Sequence, residues 1–178
     1  MIAALTGPVH AGKTTLLQRA ASRWSDLGYA FSGYLSLTVN GKVGHEYSLL
    51  ALQDGRLMPF LIRTFIAGAE RTGPYYFVPE TLEKARSIIS AAGPEQVLII
   101  DEIGPRELEG GGIRPALDQV LARPEMRLLV TVREDILGPL TNLIKSGPLS
   151  VVDVRDQNSI PLLEKALFRD PEPSLAHG

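Results

Sequence analysis

The chain has 178 residues, no cysteine and a formal net charge of -2, with eighteen basic residues against twenty acidic ones. That length suits one domain with one substantial core, and the scattered, balanced charge supplies no electrostatic footprint for nucleic acid or an acidic membrane surface. The lack of thiols excludes disulfides, a thiol nucleophile and thiolate metal sites.

The chain opens with the apolar run Ile2-Ala3-Ala4-Leu5, which reads as a core strand. Directly after it stand Gly7, Pro8, Val9, His10, Ala11, Gly12, Lys13, Thr14 and Thr15, and then Leu16, Leu17, Ala20, Ala21, Trp24 and Leu27 at helical spacing. Strand, glycine-rich turn and helix in this order make a P-loop. Its glycines let the backbone wrap a polyphosphate, and the amides and dipole at the new helix N-terminus favour the anion. Lys13 is expected to reach the β- and γ-phosphates and the Thr14 hydroxyl to hold Mg²⁺. His10, His45 and His177 lack metal-ligand spacing, so nucleotide-borne Mg²⁺ is the only metal expected.

Gly28 ends the first helix, and Tyr29 to Leu37 reads as a strand. The Asn40-Gly41 pair signals a tight hairpin, with His45 to Leu52 returning. A second turn at 53–56 leads to the apolar stretch Leu57 to Ile62, so this region is an antiparallel insertion on a parallel scaffold. Residues 63–74 lack periodicity and read as a mobile loop, followed by a short strand from Tyr75 to Val78. Leu82, Ala85, Ile88, Ile89 and Ala92 then define an amphipathic helix ended by Gly93-Pro94.

Gln96 to Ile100 is a continuous apolar run of the kind found in parallel strands covered on both faces. Asp101 and Glu102 follow at its carboxyl end, the edge of an α/β sheet where ligands bind, so this is a candidate Walker B strand. Asp101 is expected to orient Mg²⁺, and Glu102 to polarise a water against the γ-phosphate. Residues 104–112 read as a flexible segment, and Ile113, Ala116, Leu117, Val120 and Leu121 as one face of a helix. Arg127 to Val132 is the next strand, with Thr131 and Arg133 at its carboxyl end. A short helix over Pro139 to Lys145, a strand over Ser150 to Val154 and a helix from Pro161 to Phe168 complete the series. Residues 1–168 thus read as a single domain and 169–178 as a flexible tail. With no leader pattern and no run of about 18 apolar residues, a soluble cytoplasmic protein is expected.

From about residue 2 to 168 the chain resembles the small P-loop nucleoside-triphosphatase family that includes thermostable archaeal and bacterial NTPases and the animal cancer-related nucleoside-triphosphatase. The resemblance rests on Thr6-Gly7-Pro8 with Gly12-Lys13-Thr14-Thr15, on Asp101-Glu102-Ile103-Gly104-Pro105 followed by Glu107-Leu108, and on Thr131-Val132. It also takes in Gly33-Tyr34 and Gly73-Pro74-Tyr75-Tyr76. It implies an α/β fold with a RecA-like, mostly parallel sheet flanked by helices, and Mg²⁺-dependent hydrolysis of ATP, GTP and other NTPs to NDP and phosphate with broad base preference. Lys13 and Glu102 are the candidate catalytic residues, Gly7 to Thr15 the nucleotide loop, and Thr14 and Asp101 the Mg²⁺ residues. A monomer or weak homo-oligomer is expected, with neither nucleic acid nor membrane as partner. The chain departs from the family pattern at Val9-His10-Ala11, where His10 reads as a solvent-facing loop residue, and at Gln157, where the family carries arginine.

Two other classes fit a P-loop. A nucleotide or small-molecule kinase needs an acceptor site and an arginine-bearing lid, for which the loop holding Arg63 and Arg71 is a candidate; Arg106 and Arg133 are further candidates for the γ-phosphate. A nucleotide-dependent switch or accessory protein would show very low basal turnover raised by a partner.

Overall fold

The computed structural model describes residues 1–41, 44–144 and 147–168. Along the chain run β1 (Ile2–Thr6), α1 (Lys13–Asp26), β2 (Ala30–Gly41), β3 (Gly44–Ala51), β4 (Leu57–Ile62), β5 (Arg71–Thr72), β6 (Tyr75–Phe77), α2 (Pro79–Ser90) and β7 (Gln96–Ile103). They are followed by α3 (Pro105–Leu108), α4 (Arg114–Leu121), β8 (Arg127–Val132), α5 (Glu134–Leu143), β9 (Leu149–Asp153) and α6 (Ser159–Phe168). The strands join in one mixed sheet of order β5-β6-β4-β3-β2-β7-β8-β1-β9.

The unbroken apolar runs of β1, β7 and β8 follow from burial on both faces. Val97, Ile99 and Leu129 point to the side covered by α1 and α6, where Leu17, Ala20, Trp24, Leu163 and Leu167 pack. Leu98, Ile100, Leu128 and Val130 point to the other side, covered by Ala85 and Ile89 of α2, Leu117 and Val120 of α4 and Leu140 of α5. A strand covered twice has no solvent face, so the alternation that marks half-exposed strands disappears. Trp24 is fully buried and its indole N–H donates to Glu164 at 2.9 Å, which satisfies the one polar atom this side chain carries inside.

Several elements differ from the sequence reading. The antiparallel part is a continuation of the main sheet, four strands wide beside the five parallel strands β2, β7, β8, β1 and β9. The long strand β2 joins the two halves: Ala30 to Tyr34 pairs with β7, and Tyr34 to Gly41 pairs with β3. Asn40 and Gly41 are paired with His45 and Gly44, so they belong to the strand; residues 42 and 43 lie outside the described residues.

Residues 63–74 are no free loop, because Glu70 ties them down and Arg71–Thr72 pair with Tyr75–Tyr76. Residues 104–112 contain α3, with Glu107 buried. Helix α5 starts at Glu134, whose carboxylate and that of Asp135 suit the positive end of the helix dipole, and Pro139 lies inside the helix. Residues 169–178 lie outside the described residues, as does Lys145. No helix among the described residues is long and apolar enough to cross a membrane.

Candidate active site

Strand β1 delivers the chain at Thr6 into a turn that needs glycine at both ends. Gly7 has φ +153°, and a Cβ on it would fall 2.5 Å from Val154 Cγ1 on the loop after β9. Gly12 has φ +89° and caps α1, a left-handed conformation that costs glycine nothing. Between them His10 is exposed at φ 61°. Helix α1 then begins at Lys13, and its first amides have no partner within the helix and form its positive end. Lys13 is only 6% exposed, and its ammonium donates to the carbonyls of Gly7 at 3.1 Å and Pro8 at 3.0 Å. An ammonium has three protons, so one donor remains for another acceptor.

The acidic pair sits where β7 breaks register with β8. Ile100 faces Val130 but Ile103 faces Val132, so one extra residue is accommodated at Asp101-Glu102. A bulge of this kind re-aims side chains, and here it sends the two carboxylates to different surroundings. Asp101 is 2% exposed and accepts hydrogen bonds from Thr14 Oγ1 at 2.8 Å, Thr131 Oγ1 at 2.6 Å and the Ser36 amide at 3.2 Å. It thereby fastens α1, β2 and β8 to β7. Burial raises its pKa above the ordinary carboxylate value, opposed by those hydrogen bonds and by Lys13. Glu102 opens into the cleft, yet the surrounding protein raises its pKa too, with Lys13 opposing, Asp101 adding and Arg133 opposing.

Glu102 stands between two cavities. One, of about 270 Å³, is lined by residues 9–15 of the glycine loop together with Ser36, Thr38, Tyr47, Asp101 and Glu102. The other, of about 260 Å³, lies on the far side under the antiparallel half and shares Ser36, Tyr47 and Glu102 with the first. Thus the structure brings the glycine loop, Thr14, Asp101 and Glu102 to one cleft, as their positions at the carboxyl ends of parallel strands require.

The four candidate arginines separate. Arg63 donates to Tyr75 Oη at 3.2 Å and lies over that ring, while Arg71 bonds the Gly73 carbonyl at 2.8 Å. Arg106 pairs with Glu70 at 2.9 Å. Only Arg133 lines a cavity with Glu102, and it also pairs with Asp135 at 3.2 Å. Gln157 is exposed on the turn between β9 and α6, downstream of Val154, which packs against Gly7. Sequence reasoning missed Ser36, Thr38 and Tyr47. Ser36 acts on Asp101 through its backbone amide, which leaves no side-chain signal to find. It also missed Glu70, whose carboxylate accepts from Arg86 at 2.6 Å and from the Gly112 amide at 2.8 Å, besides Arg106.

A mixed sheet between two helical layers, with a glycine loop at a helix N-terminus facing an acidic pair, defines a nucleotide-binding α/β protein. The family model described as NTPase matches residues 3–167. Nucleoside-triphosphatase THEP1 of Hyperthermus butylicus is 31% identical over 160 residues, covering 88% of this chain and 85% of that protein. The mouse cancer-related nucleoside-triphosphatase homolog is 31% identical over 138 residues, covering 72% and 73%. The crystal structure of THEP1 from Aquifex aeolicus superposes with a TM-score of 0.73 at 25% identity, covering 95% of this chain and 100% of that one. The chain belongs to the NTPase family, a family of hydrolases.

Proposed function

We propose that this protein is a Mg²⁺-dependent nucleoside-triphosphate phosphohydrolase, built as one P-loop domain over residues 1–168, that converts NTP to NDP and phosphate. The observation that carries the reading is the single cleft in which the glycine loop, Asp101 and Glu102 face one another. In this reading residues 7–15 wrap the polyphosphate, and the spare Lys13 proton reaches its β- and γ-oxygens while the loop carbonyls hold the ammonium in place. Broad base preference and the acceptance of ATP, GTP and other NTPs are expectations from the family.

The donor set fits Mg²⁺. Thr14 and Asp101 are hard oxygen donors 2.8 Å apart, and among the described residues no group of three His, Cys, Asp or Glu forms a protein cage. Mg²⁺ is commonly held this way, by one or two protein oxygens with waters and phosphates completing the shell. When bound, the ion neutralises charge on the phosphate oxygens. Asp101 already takes hydrogen bonds on both carboxylate oxygens, so its part is to orient the ion's water shell and the Thr14 hydroxyl.

Glu102 is the water-directing group. Its carboxylate projects into the cleft, one residue beyond the buried Asp101, where it accepts a proton from an attacking water. Glu102→Gln keeps the shape and nucleotide affinity but loses general-base assistance, with a drop in phosphate release of about 100- to 10,000-fold. The test pairs nucleotide titration with phosphate release at saturation for wild type and Glu102→Gln. Turnover of the variant within a few-fold of wild type would refute the role.

A further inference from the structure

The cavity behind Glu102 contains none of the glycine-loop residues, and its walls have a chemistry of their own. Tyr47 and Tyr75 meet edge to face at 5.3 Å, and Phe60 packs edge to face on Phe77 at 5.4 Å. Arg63 covers the outer side of the Tyr75 ring, so this wall is braced from behind. The charged groups in its lining are few, Glu102 on the side of the glycine loop, the Glu107 carboxyl and Arg133, and the other side-chain polar groups there are the hydroxyls of Ser36, Thr72 and three tyrosines. The Arg133 Nε–H is buried and finds no acceptor among the described residues. Aromatic walls with a few convergent polar groups make a site for a small ring-bearing molecule. A phosphate-bearing molecule would meet two carboxyl groups and one guanidinium already paired with Asp135, so a neutral one fits better.

We propose that this cavity is a second substrate site, which takes a neutral ring-bearing alcohol of nucleoside type and presents its hydroxyl to Glu102 in place of water. The protein then transfers the γ-phosphoryl group as well as hydrolysing it. The acceptor oxygen forms a bond to the γ-phosphorus, and the bond from that phosphorus to the β–γ bridging oxygen breaks. NDP leaves with the electron pair, and the hydroxyl proton passes to the Glu102 carboxylate. This rests on the reading of the glycine loop and Glu102 given under Proposed function, because the cavity gains its meaning from sharing Glu102 with that cleft.

The test incubates the protein with γ-labelled ATP, Mg²⁺ and, in turn, adenosine, guanosine, cytidine, uridine and thymidine, separating free phosphate from labelled nucleoside monophosphate. Nucleoside binding without ATP is followed in parallel by calorimetry. The expected result is label in at least one nucleoside. Tyr75→Ala should weaken nucleoside binding by about 5- to 150-fold, the range for losing one base–aromatic stack, while Tyr75→Phe binds within a few-fold of wild type. Tyr75 lines the second cavity only, so ATP affinity should be the same in all three proteins. Phosphate release without any nucleoside binding or labelling overturns this proposal and leaves the hydrolase standing. Nucleoside binding that suppresses phosphate release without labelling overturns the transfer step. Neither phosphate release nor labelling removes the hydrolase reading, and the calorimetry then decides the cavity alone: absence of saturable binding overturns it.

Discussion

Replacing Glu107 by glutamine tests how burial sets a carboxyl group behind the acidic pair. Glu107 is 5% exposed, and its Oε2 accepts the Gly104 amide at 3.0 Å, closing the first turn of α3. Burial raises its pKa from 4.5 to about 7, against the opposing hydrogen bonds of the Gly104 and Ile113 amides and with Glu70 adding to the rise. A raised folded-state pKa means that the folded protein binds this proton more tightly than the unfolded chain. The resulting stability is fully present below pH 4.5 and is lost as the pH rises through 7. A difference of about 2.5 at about 1.36 kcal/mol per pKa unit amounts to about 3 kcal/mol.

Glutamine keeps the volume and one acceptor for Gly104 but does not titrate. It places an amide donor against the remaining backbone donors, at a cost that does not depend on pH. Stability of Glu107→Gln minus that of wild type should therefore rise by about 3 kcal/mol between pH 4.5 and pH 8. Urea unfolding of both proteins across that range gives the difference directly, and titrating groups that do not interact with Glu107 cancel in the subtraction. A difference that stays flat within about 0.5 kcal/mol across that range would refute burial as the cause.

Lys13→Ala should abolish NTP turnover with the fold retained, because it removes the ammonium proposed to position the β- and γ-phosphates; normal phosphate release in a folded variant would sink the loop assignment. Asp101→Asn can still accept from Thr14 and Ser36 and donate to Thr131, so it should stay folded but need more Mg²⁺, read as a shifted Mg²⁺ titration. Asp101→Ala leaves the buried Thr131 hydroxyl without its acceptor and should cost about 1–3 kcal/mol in thermal unfolding. Burial would raise the Glu70 pKa, but hydrogen bonds from the Gly112 amide, Arg86 and Arg106 outweigh it and hold it below 4.5. That stabilisation is present above pH 4.5 and lost as pH falls through the lower folded value, so Glu70→Ala should flatten the acid side of the stability curve; an unchanged acid limb in calorimetry counts against it.

The glycine loop and the acidic pair were legible because their chemistry lies in contiguous residues flanked by periodic ones. A turn between a strand and a helix needs glycine at fixed places, and a strand buried on both faces shows an unbroken apolar run. The division of the sheet was harder to see. β2 reads as one strand, yet only its pairing shows that half of it belongs to a parallel neighbour and half to an antiparallel one.

By itself, the sequence picked out the residues whose chemistry suits a polyphosphate and a hard cation, and roughly where the strands that carry them begin and end. Tertiary structure decided their partners. The Asp101 carboxylate meets Ser36 and Thr14, 65 and 87 positions away in the chain, and Glu70 meets Arg106 and Gly112, 36 and 42 positions away. Such pairings depend on strand order and on the bulge at Asp101-Glu102, which no local pattern encodes. The arginines show the same limit, since all carry one charge on a long stem. Packing alone turned Arg63 and Arg71 outward, spent Arg106 on Glu70 and left Arg133 beside Glu102, because an ion pair forms only between groups that the fold has already brought within reach.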